Sequence, residues 1–264
     1  MYVLLIFITI LVIMFVYYST NYVKVNQHSL SFDVTEPIKV VHITDLHGKT
    51  SFINGSLSKI VNTLDPDIVL ITGDLVSNQK SLKKVLLELK KINQTALYFV
   101  PGNYERETTK GIGRKRSLTK EEYQENFSHI SCVATYLENS GALINIKNSA
   151  VSIYGFDNSI YGLEKLENSN QQNYHADIRI IMAHSPNIIN TININSVPYH
   201  LLLTGHTHGG QLRLFNKTIG GYKHFHVGMK KIDNSFFYIS RGIGTVKIPI
   251  RFNCPPEITS FYIH

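Results

Sequence analysis

The chemistry-bearing residues of this 264-residue chain sit at the ends of short apolar runs, often in tight pairs. His206 and His208 lie two apart in Thr204-Gly-His-Thr-His-Gly-Gly-Gln211, just past the run His200-Leu-Leu-Leu203. An apolar run ending in glycine reads as a buried strand meeting a tight turn. Residues two apart on an extended backbone point the same way, so both imidazoles are expected above one strand end. The flanking glycines admit a close backbone approach. Asp45 and His47 repeat the spacing after Lys39-Val-Val-His-Ile-Thr44. Asp74 follows Asp67-Ile-Val-Leu-Ile-Thr72, Asn103 follows the run 96–100 within Pro101-Gly-Asn103, and His184 follows the run 178–182.

In an open α/β sheet, ligands bind outside the carboxyl ends of the strands, so these seven groups are expected along one edge. Carboxylate and amide oxygens with imidazole nitrogens suit borderline divalent ions such as Mn²⁺, Zn²⁺, Fe²⁺ or Co²⁺. Seven donors exceed the needs of one ion and suit two ions sharing a bridging carboxylate. Singly, each residue has a structural reading. Asp45 and Asp74 could cap helices, Asn103 could serve a turn, and His42 reads as a strand residue. Their joint occurrence at consecutive strand ends favours the metal reading.

The elements that must position these groups follow from periodicity. A helix is expected over 56–64, ended by Asp65-Pro66. Leu82, Val85, Leu86, Leu89 and Ile92 form the apolar stripe of an amphipathic helix over 81–92, with its lysines on the solvated face. Three strands alternating with helical patterns imply βαβ units and a largely parallel sheet. The span 106–120 is basic, with Gly111-Ile-Gly-Arg-Lys-Arg116 at its middle; it reads either as a surface insertion or as a flap that attracts phosphate. A helix is expected around 121–139, with Gly141 as its C-cap. Strands near 142–146 and 151–156, an Asn/Gln-rich loop to Tyr174 and further short strands complete an α/β chain.

The net charge is +7, and residues 1–37 contribute none of the excess, holding Lys24 against Asp33 and Glu36. Such a balance suits anionic substrates or an anionic membrane surface. No recognition-helix or stacked-aromatic signature points to nucleic acid. Cys132 and Cys254 lie far apart without CxxC spacing and define neither a disulfide framework nor a zinc knuckle. Tyr2 to Tyr18 is apolar or aromatic apart from Thr9 and carries no charge. About 17–20 such residues approach the thickness of a bilayer core. No basic residue precedes the run and no A-x-A site follows it, as a cleaved signal would require, while Tyr17, Tyr18 and Tyr22 suit a headgroup belt. The expectation is a single-pass membrane anchor over 1–20, with a cleaved signal or a buried helix as alternatives. A linker and leading strand then occupy 21–37, and one domain 38–264. The side of the membrane stays open.

The ordered set Asp45-Leu-His47, Gly73-Asp74, Gly102-Asn103-Tyr104-Glu105, His184 and Gly205-His-Thr-His208 resembles the calcineurin-like metallophosphoesterase superfamily. The resemblance covers about 38–264. Gly205-His-Thr-His-Gly-Gly-Gln211 and the tail Ser240-Arg-Gly-Ile-Gly-Thr245 … Pro249-Ile-Arg-Phe … Cys254-Pro-Pro-Glu-Ile258 are similar to its membrane-anchored, YkuE-like branch. The resemblance implies a four-layer α/β/β/α sandwich of two mixed sheets. It also implies two ions, one on Asp45, His47 and His208, the other on Asn103, His184 and His206, bridged by Asp74. A hydroxide between the ions would attack phosphorus, with Asp74, His184 and the residue at position 104 as the catalytic groups.

Relatives carry histidine where this chain has Tyr104; that histidine stands near the leaving group and is no metal ligand. A phenol, with pKa about 10, donates a hydrogen bond but gives up its proton less readily than an imidazole. Tyr104 therefore biases the site toward good leaving groups, unless His224 or His226 substitutes. The implied function is hydrolysis of a phosphodiester or pyrophosphate, on a small molecule or a lipid, at a membrane. Alternatives are a UDP-2,3-diacylglucosamine-type pyrophosphatase of lipid A synthesis, a nuclease (disfavoured by the anchor), and a non-catalytic docking module, which the full set of seven donors disfavours. No protein partner can be inferred.

Overall fold

The computed structural model describes residues 1–93, 96–110, 114–166, 176–215, 217–219 and 221–264. Residues 111–113 of the basic span and 167–175 of the Asn/Gln-rich loop lie outside the described residues. The helix α1 (Tyr2–Asn21) leads into β1 (Lys24–Leu30) and β2 (Ile38–Ile43). Next come α2 (Leu57–Thr63), β3 (Ile68–Thr72), α3 (Leu82–Leu89) and β4 (Ala96–Val100). They are followed by α4 (Lys120–Ser131), β5 (Thr135–Tyr136), β6 (Ser140–Ile146) and β7 (Ser149–Gly155). The chain ends with β8 (Ile178–Met182), α5 (Ile188–Ile194), β9 (Leu201–Thr204), β10 (Gly228–Ile232), β11 (Ser235–Ile239) and β12 (Glu257–Ile263).

Two six-stranded sheets result, ordered β1-β12-β2-β3-β4-β5 and β6-β7-β8-β9-β11-β10. Strands β2 to β5 are parallel, whereas β12 runs antiparallel to β2 and parallel to β1. In the second sheet β7, β8, β9 and β11 are parallel, with β6 and β10 antiparallel at the edges. Side chains alternate between the faces of a strand, and here both faces are buried. Val41, Ile43, Val69 and Phe99 meet Leu57, Val61, Val85 and Leu89 of α2 and α3. From the opposite faces, Val40, Leu70 and Val100 meet Ile153, Ile180, Met182 and Leu203 of the second sheet. Ile181, Leu202 and Ile239 then cover Ile188 and Ile192 of α5. Three apolar interfaces between four layers make the α/β/β/α sandwich, each fully buried aliphatic side chain contributing about 1.5–3 kcal/mol.

Helix ends follow their local chemistry. The Ser56 hydroxyl accepts the Lys59 N–H and starts α2. Thr119 and Glu122 form a reciprocal capping box at the start of α4. The amphipathic helix is shorter than its stripe: a 3-10 turn at Gln79–Ser81 precedes α3, which ends at Leu89. The helix expected over 121–139 stops at Ser131. The β-branched and aromatic run Val133-Ala-Thr-Tyr136 turns into β5, which pairs with β4. Gly141 accordingly lies inside β6, paired with Tyr154, and is no C-cap. The basic span folds as an antiparallel hairpin of Glu107–Lys110 with Arg114–Ser117.

Candidate metal centre

All seven donor residues lie just past the carboxyl ends of β2, β3, β4, β8 and β9. Extended backbone does not aim five of them. Asp45, His47, Asp74, His206 and His208 have φ of 53, 48, 56, 66 and 51°, the left-handed region that non-glycine residues occupy mainly in special turns. The same-face argument for the histidine pair therefore fails, because the strand ends at Thr204 and both histidines stand in a turn. Left-handed residues at a site mark strain that the surrounding structure must hold in place.

That surrounding structure is visible. Glu105 accepts from the backbone N–H groups of Asp74 (2.8 Å), Leu75 (2.9 Å) and Gly102 (2.7 Å), clasping the second and third sequence blocks together. Burial, then the Asp74 carboxylate, raises the Glu105 carboxyl against these amide donors. Asp74 Oδ1 accepts the Tyr104 N–H at 2.8 Å. Asp45 Oδ2 accepts the His206 N–H (3.0 Å) and the Thr44 hydroxyl (2.9 Å). One oxygen of each carboxylate is thus committed to the protein, and the other faces inward.

The inward atoms form two clusters. In one, Asp45 Oδ1 lies 3.3 Å from His208 Nε2 and 3.8 Å from His47 Nε2, and the two imidazole nitrogens are 3.1 Å apart. In the other, His184 Nε2 lies 3.2 Å from Asn103 Oδ1 and 3.1 Å from His206 Nδ1. Asp74 Oδ2 stands between them, 3.6 Å from His47 Nε2 and 3.4 Å from His184 Nε2, as a shared carboxylate would. The groups Asp45–His47–His208 and Asp74–His184–His206 each present donor atoms within 4.8 Å of one another.

The donors fit cations. Asp45 Oδ1 is buried without a hydrogen-bond partner, a costly state for a carboxylate oxygen unless a cation meets it. Burial pulls the His184 imidazole down, but Asp74 and Asp45 outweigh it and raise it to about 10, so these carboxylates call for positive charge. Burial lowers His206 to about 4 and His208 to about 3, leaving both neutral with lone pairs to offer at neutral pH. Groups behind the rings set their orientation, as metal-binding histidines require. His184 Nδ1 donates to the Thr72 carbonyl (2.8 Å), His47 Nδ1 meets Ser77 Oγ (2.7 Å), and His206 Nε2 meets the Tyr222 hydroxyl (2.7 Å). Behind His208, the buried Arg251 guanidinium lies 3.3 Å from Nδ1 and donates to the Gly244 and Arg241 carbonyls at 2.6 and 2.8 Å.

A cleft of about 400 Å³ opens over the clusters, lined by Asp74, Asn103, Tyr104, His206 and His208 with Lys115, Tyr222 and Ile248. Tyr104 packs edge-on against His47 at 5.0 Å, and Lys115 Nζ sits 4.3 Å from the Tyr104 ring centre. Burial raises the Tyr104 phenol above its ordinary value despite the lysine, which makes it a weak proton donor. His224 and His226 do not take over. His226 stands at the Phe237 carbonyl (3.3 Å), the His224 ring lies tilted against Phe225 at 4.2 Å, and neither lines the cleft. Of the three basic residues 114–116, Arg116 forks onto Glu122 and Arg114 is exposed, while Lys115 alone lines the cleft. The structure therefore brings Lys115 of that span to the cleft, its ammonium paired with Glu107 at 2.8 Å. Glu105, Tyr222 and Arg251 had no assigned role in the sequence reading, since their contacts join residues far apart in the chain.

The sequence model of the calcineurin-like phosphoesterase family matches residues 38–210. The chain belongs to that family and is a metal-dependent phosphoester hydrolase. It is 23% identical over 262 residues to the uncharacterized metallophosphoesterase YkuE of Bacillus subtilis, covering 93% of this chain and 87% of that one. It is 28% identical over 259 residues to the phosphodiesterase YaeI of Escherichia coli, covering 92% and 89%. Among solved structures, the NAD nucleotidase NadN of Haemophilus influenzae superposes with a TM-score of 0.51 at 13% identity, over 79% of this chain. This chain spans about half the length of that protein, 51%, and the likeness concerns the fold.

Proposed function

We propose that the chain hydrolyses a phosphodiester or pyrophosphate linkage on a lipid-linked substrate, with α1 holding the catalytic domain at a membrane. The observation that carries this reading is the junction between α1 and the cleft. Helix α1 is 20 residues long and apolar enough to cross a bilayer. Its end is fastened to the domain: the Arg251 N–H donates to Thr20 Oγ1 (2.9 Å) and Lys49 Nζ to the Thr20 carbonyl (2.6 Å). The stretch that leads into Arg251, Val246 to Ile248, lines the cleft.

Asp45, His47 and His208 would hold one divalent cation, Asn103, His184 and His206 the other, with Asp74 shared. Cations so placed supply Lewis-acid polarisation of the phosphoryl oxygens and acidify an attacking water. The protein's own residues do the rest. Asp74 and Asp45 supply the negative field, and the Glu105 clasp fixes Asp74. The Lys115 ammonium attracts the phosphate from the cleft mouth, and the Tyr104 hydroxyl donates a hydrogen bond toward the departing oxygen. A phenol raised by burial transfers its proton poorly, so the site favours leaving groups that are already acidic, such as the phosphate released from a pyrophosphate.

The test uses the full chain purified in detergent, its metal content measured and its turnover followed on bis-p-nitrophenyl phosphate with Mn²⁺, then on lipid pyrophosphates and phosphodiesters. Metal-dependent cleavage lost in Asp74→Asn, and faster on pyrophosphate than on alkyl diester lipids, is expected. Full metal occupancy without turnover on diester, monoester or pyrophosphate substrates would overturn the proposal.

A further inference from the structure

We propose that the rim of the cleft inserts into the interface of the bilayer that α1 enters, so that the metal centre opens directly onto the lipid surface. The rim consists of the hairpin joining Arg213–Leu214 to Lys217–Thr218 and the loop before Arg251. This inference rests on α1 being a membrane span and deepens the lipid-linked reading of the same site.

The rim is apolar where solvent would favour polar residues. Phe215 is 85% exposed, and Leu214, Ile219, Ile248 and Ile250 are exposed beside it. Scattered exposed apolar residues are ordinary, but these belong to two segments that Gln211 fastens together. Its Nε2 donates to the Ile248 carbonyl (2.6 Å), and its Oε1 accepts the Val246 N–H (2.9 Å). Ile219 and Ile248 also line the cleft, so the apolar surface runs from the rim to the metal centre. An acyl chain could follow it while the phosphate reaches the clusters.

The depth of the rim follows from α1. The Phe252 ring packs edge-on against Phe15 of α1, ring centres 5.5 Å apart. Phe15 lies six residues before the helix end, about 9 Å inside the span at the helical rise. A ring in contact with it stands at the membrane interface. The hairpin hangs on that residue: the Arg213 N–H donates to the Phe252 carbonyl (3.0 Å), and Leu212 bridges Phe252. Tyr18 and Tyr22, one and two turns beyond Phe15 at the end of the helix, stack at 4.8 Å, as an aromatic belt would.

The charge agrees. Lys217, Lys223 and Lys247 are exposed around the apolar tips, and Asp233 is the only acidic residue between Gln211 and Arg251. Asp233 lies in the turn between β10 and β11, away from the hairpin. Apolar tips within a basic ring match the acyl boundary and anionic headgroups of a bilayer surface.

The chain contains no tryptophan, so Phe215→Trp supplies a single reporter. The full chain is reconstituted into vesicles of phosphatidylcholine and phosphatidylglycerol, with and without brominated acyl chains. The indole is expected to emit at shorter wavelength than in water and to be quenched about twofold or more by brominated lipid. A control indole from Ile194→Trp, 82% exposed at the end of α5 that leads into the start of β9, is expected to stay unquenched and open to acrylamide. An indole at 215 that behaves like the one at 194 overturns the proposal. So does a blue shift that grows with protein concentration in detergent and is indifferent to brominated lipid, which would assign the rim to a second copy of the chain. The double variant Phe215→Ser with Ile250→Ser is expected to cleave bis-p-nitrophenyl phosphate within about twofold of the parent, while cleavage of a vesicle-embedded lipid phosphoester falls about tenfold or more. Equal loss on both substrates counts against the rim. A quenched indole at position 215, together with a parent chain that cleaves no lipid, would retain the membrane seat and refute the lipid substrate.

Discussion

Gly102→Ala puts one methyl group where the second and third sequence blocks meet. A Cβ at Gly102 would stand 2.3 Å from Asp74 Oδ1, 2.7 Å from the Asp74 nitrogen and 2.9 Å from His184 Nδ1, where ordinary contact begins near 3.4 Å. Something must move by about 1 Å, and the neighbours are tethered. The Asp74 and Gly102 nitrogens share Glu105 Oε2 at 2.8 and 2.7 Å, His184 Nδ1 is bonded to the Thr72 carbonyl, and Asp74 Oδ1 holds the Tyr104 N–H. Moving the Asp74 carboxylate carries Oδ2 with it, the atom that faces both clusters. Metal–ligand distances tolerate only about 0.2 Å, and a misplacement of about 1 Å can cost about 10²-fold in rate. We therefore expect Gly102→Ala to remain folded, at a cost of about 1–3 kcal/mol, to retain less than its full complement of Mn²⁺ or Zn²⁺ after dialysis, and to lose about 10²-fold in kcat/KM on bis-p-nitrophenyl phosphate. Gly221→Ala is the control, because that glycine also lines the cleft but its Cβ would meet nothing within 4 Å. A Gly102→Ala protein with full metal content and turnover within about threefold of the parent would refute this reasoning.

Tyr104→His is expected to raise turnover on alkyl phosphodiesters about tenfold, within the range of a positioned general acid, and to change p-nitrophenyl esters little; no difference between leaving groups would remove the role given to the phenol. Lys115→Ala should raise KM about three- to tenfold with kcat nearly unchanged, an effect that shrinks as salt screens the ammonium, and initial rates across a salt series measure it. Glu88 lies far from the site and accepts the Ser58 N–H (3.0 Å), the Ser58 hydroxyl (2.6 Å) and Lys91 Nζ (3.0 Å). Burial raises its carboxyl, but these bonds outweigh it and hold it at about 2, against 4.5 unperturbed. Since the folded-state pKa is depressed, Glu88→Gln should cost about 1.5–3 kcal/mol near neutrality. The difference is full above pH 4.5 and vanishes as pH falls through about 2; denaturant melts across that range test it.

The sandwich was legible because its strands are short apolar runs buried on both faces and closed by glycine or polar residues, and because the donor blocks recur in order at their ends. The seven donors converge as the sequence led one to expect, but by another route. Alternation along a strand predicts same-face histidines, whereas left-handed backbone aims five of the seven donors, and a positive φ at Asp45 or His206 leaves little trace in a single sequence. The helix over 121–139 was overextended because the apolar spacing of 130–137 suits either period, and pairing with β4 decides for a strand. Glu105 was legible as part of its block but not as a clasp on Asp74. Nor could spacing reveal the bond between Thr20 and Arg251, which are separated by 231 positions. The proposed rim rests on such long-range fastening and has no local signal beyond scattered apolar residues.

Thr207 alone separates His206 of one cluster from His208 of the other. It is buried, its N–H donates to the Gly205 carbonyl at 2.8 Å, and its hydroxyl accepts the Gly209 N–H at 3.3 Å. The separation of the two centres is therefore gauged by a single pinned peptide unit rather than by side-chain rotamers. Neither histidine can be moved relative to the other without opening the turn that holds both. In the proposed two-cation centre, a ruler of that kind would limit which pairs of ions could share Asp74, and it would do so from the backbone rather than from the side chains that hold them.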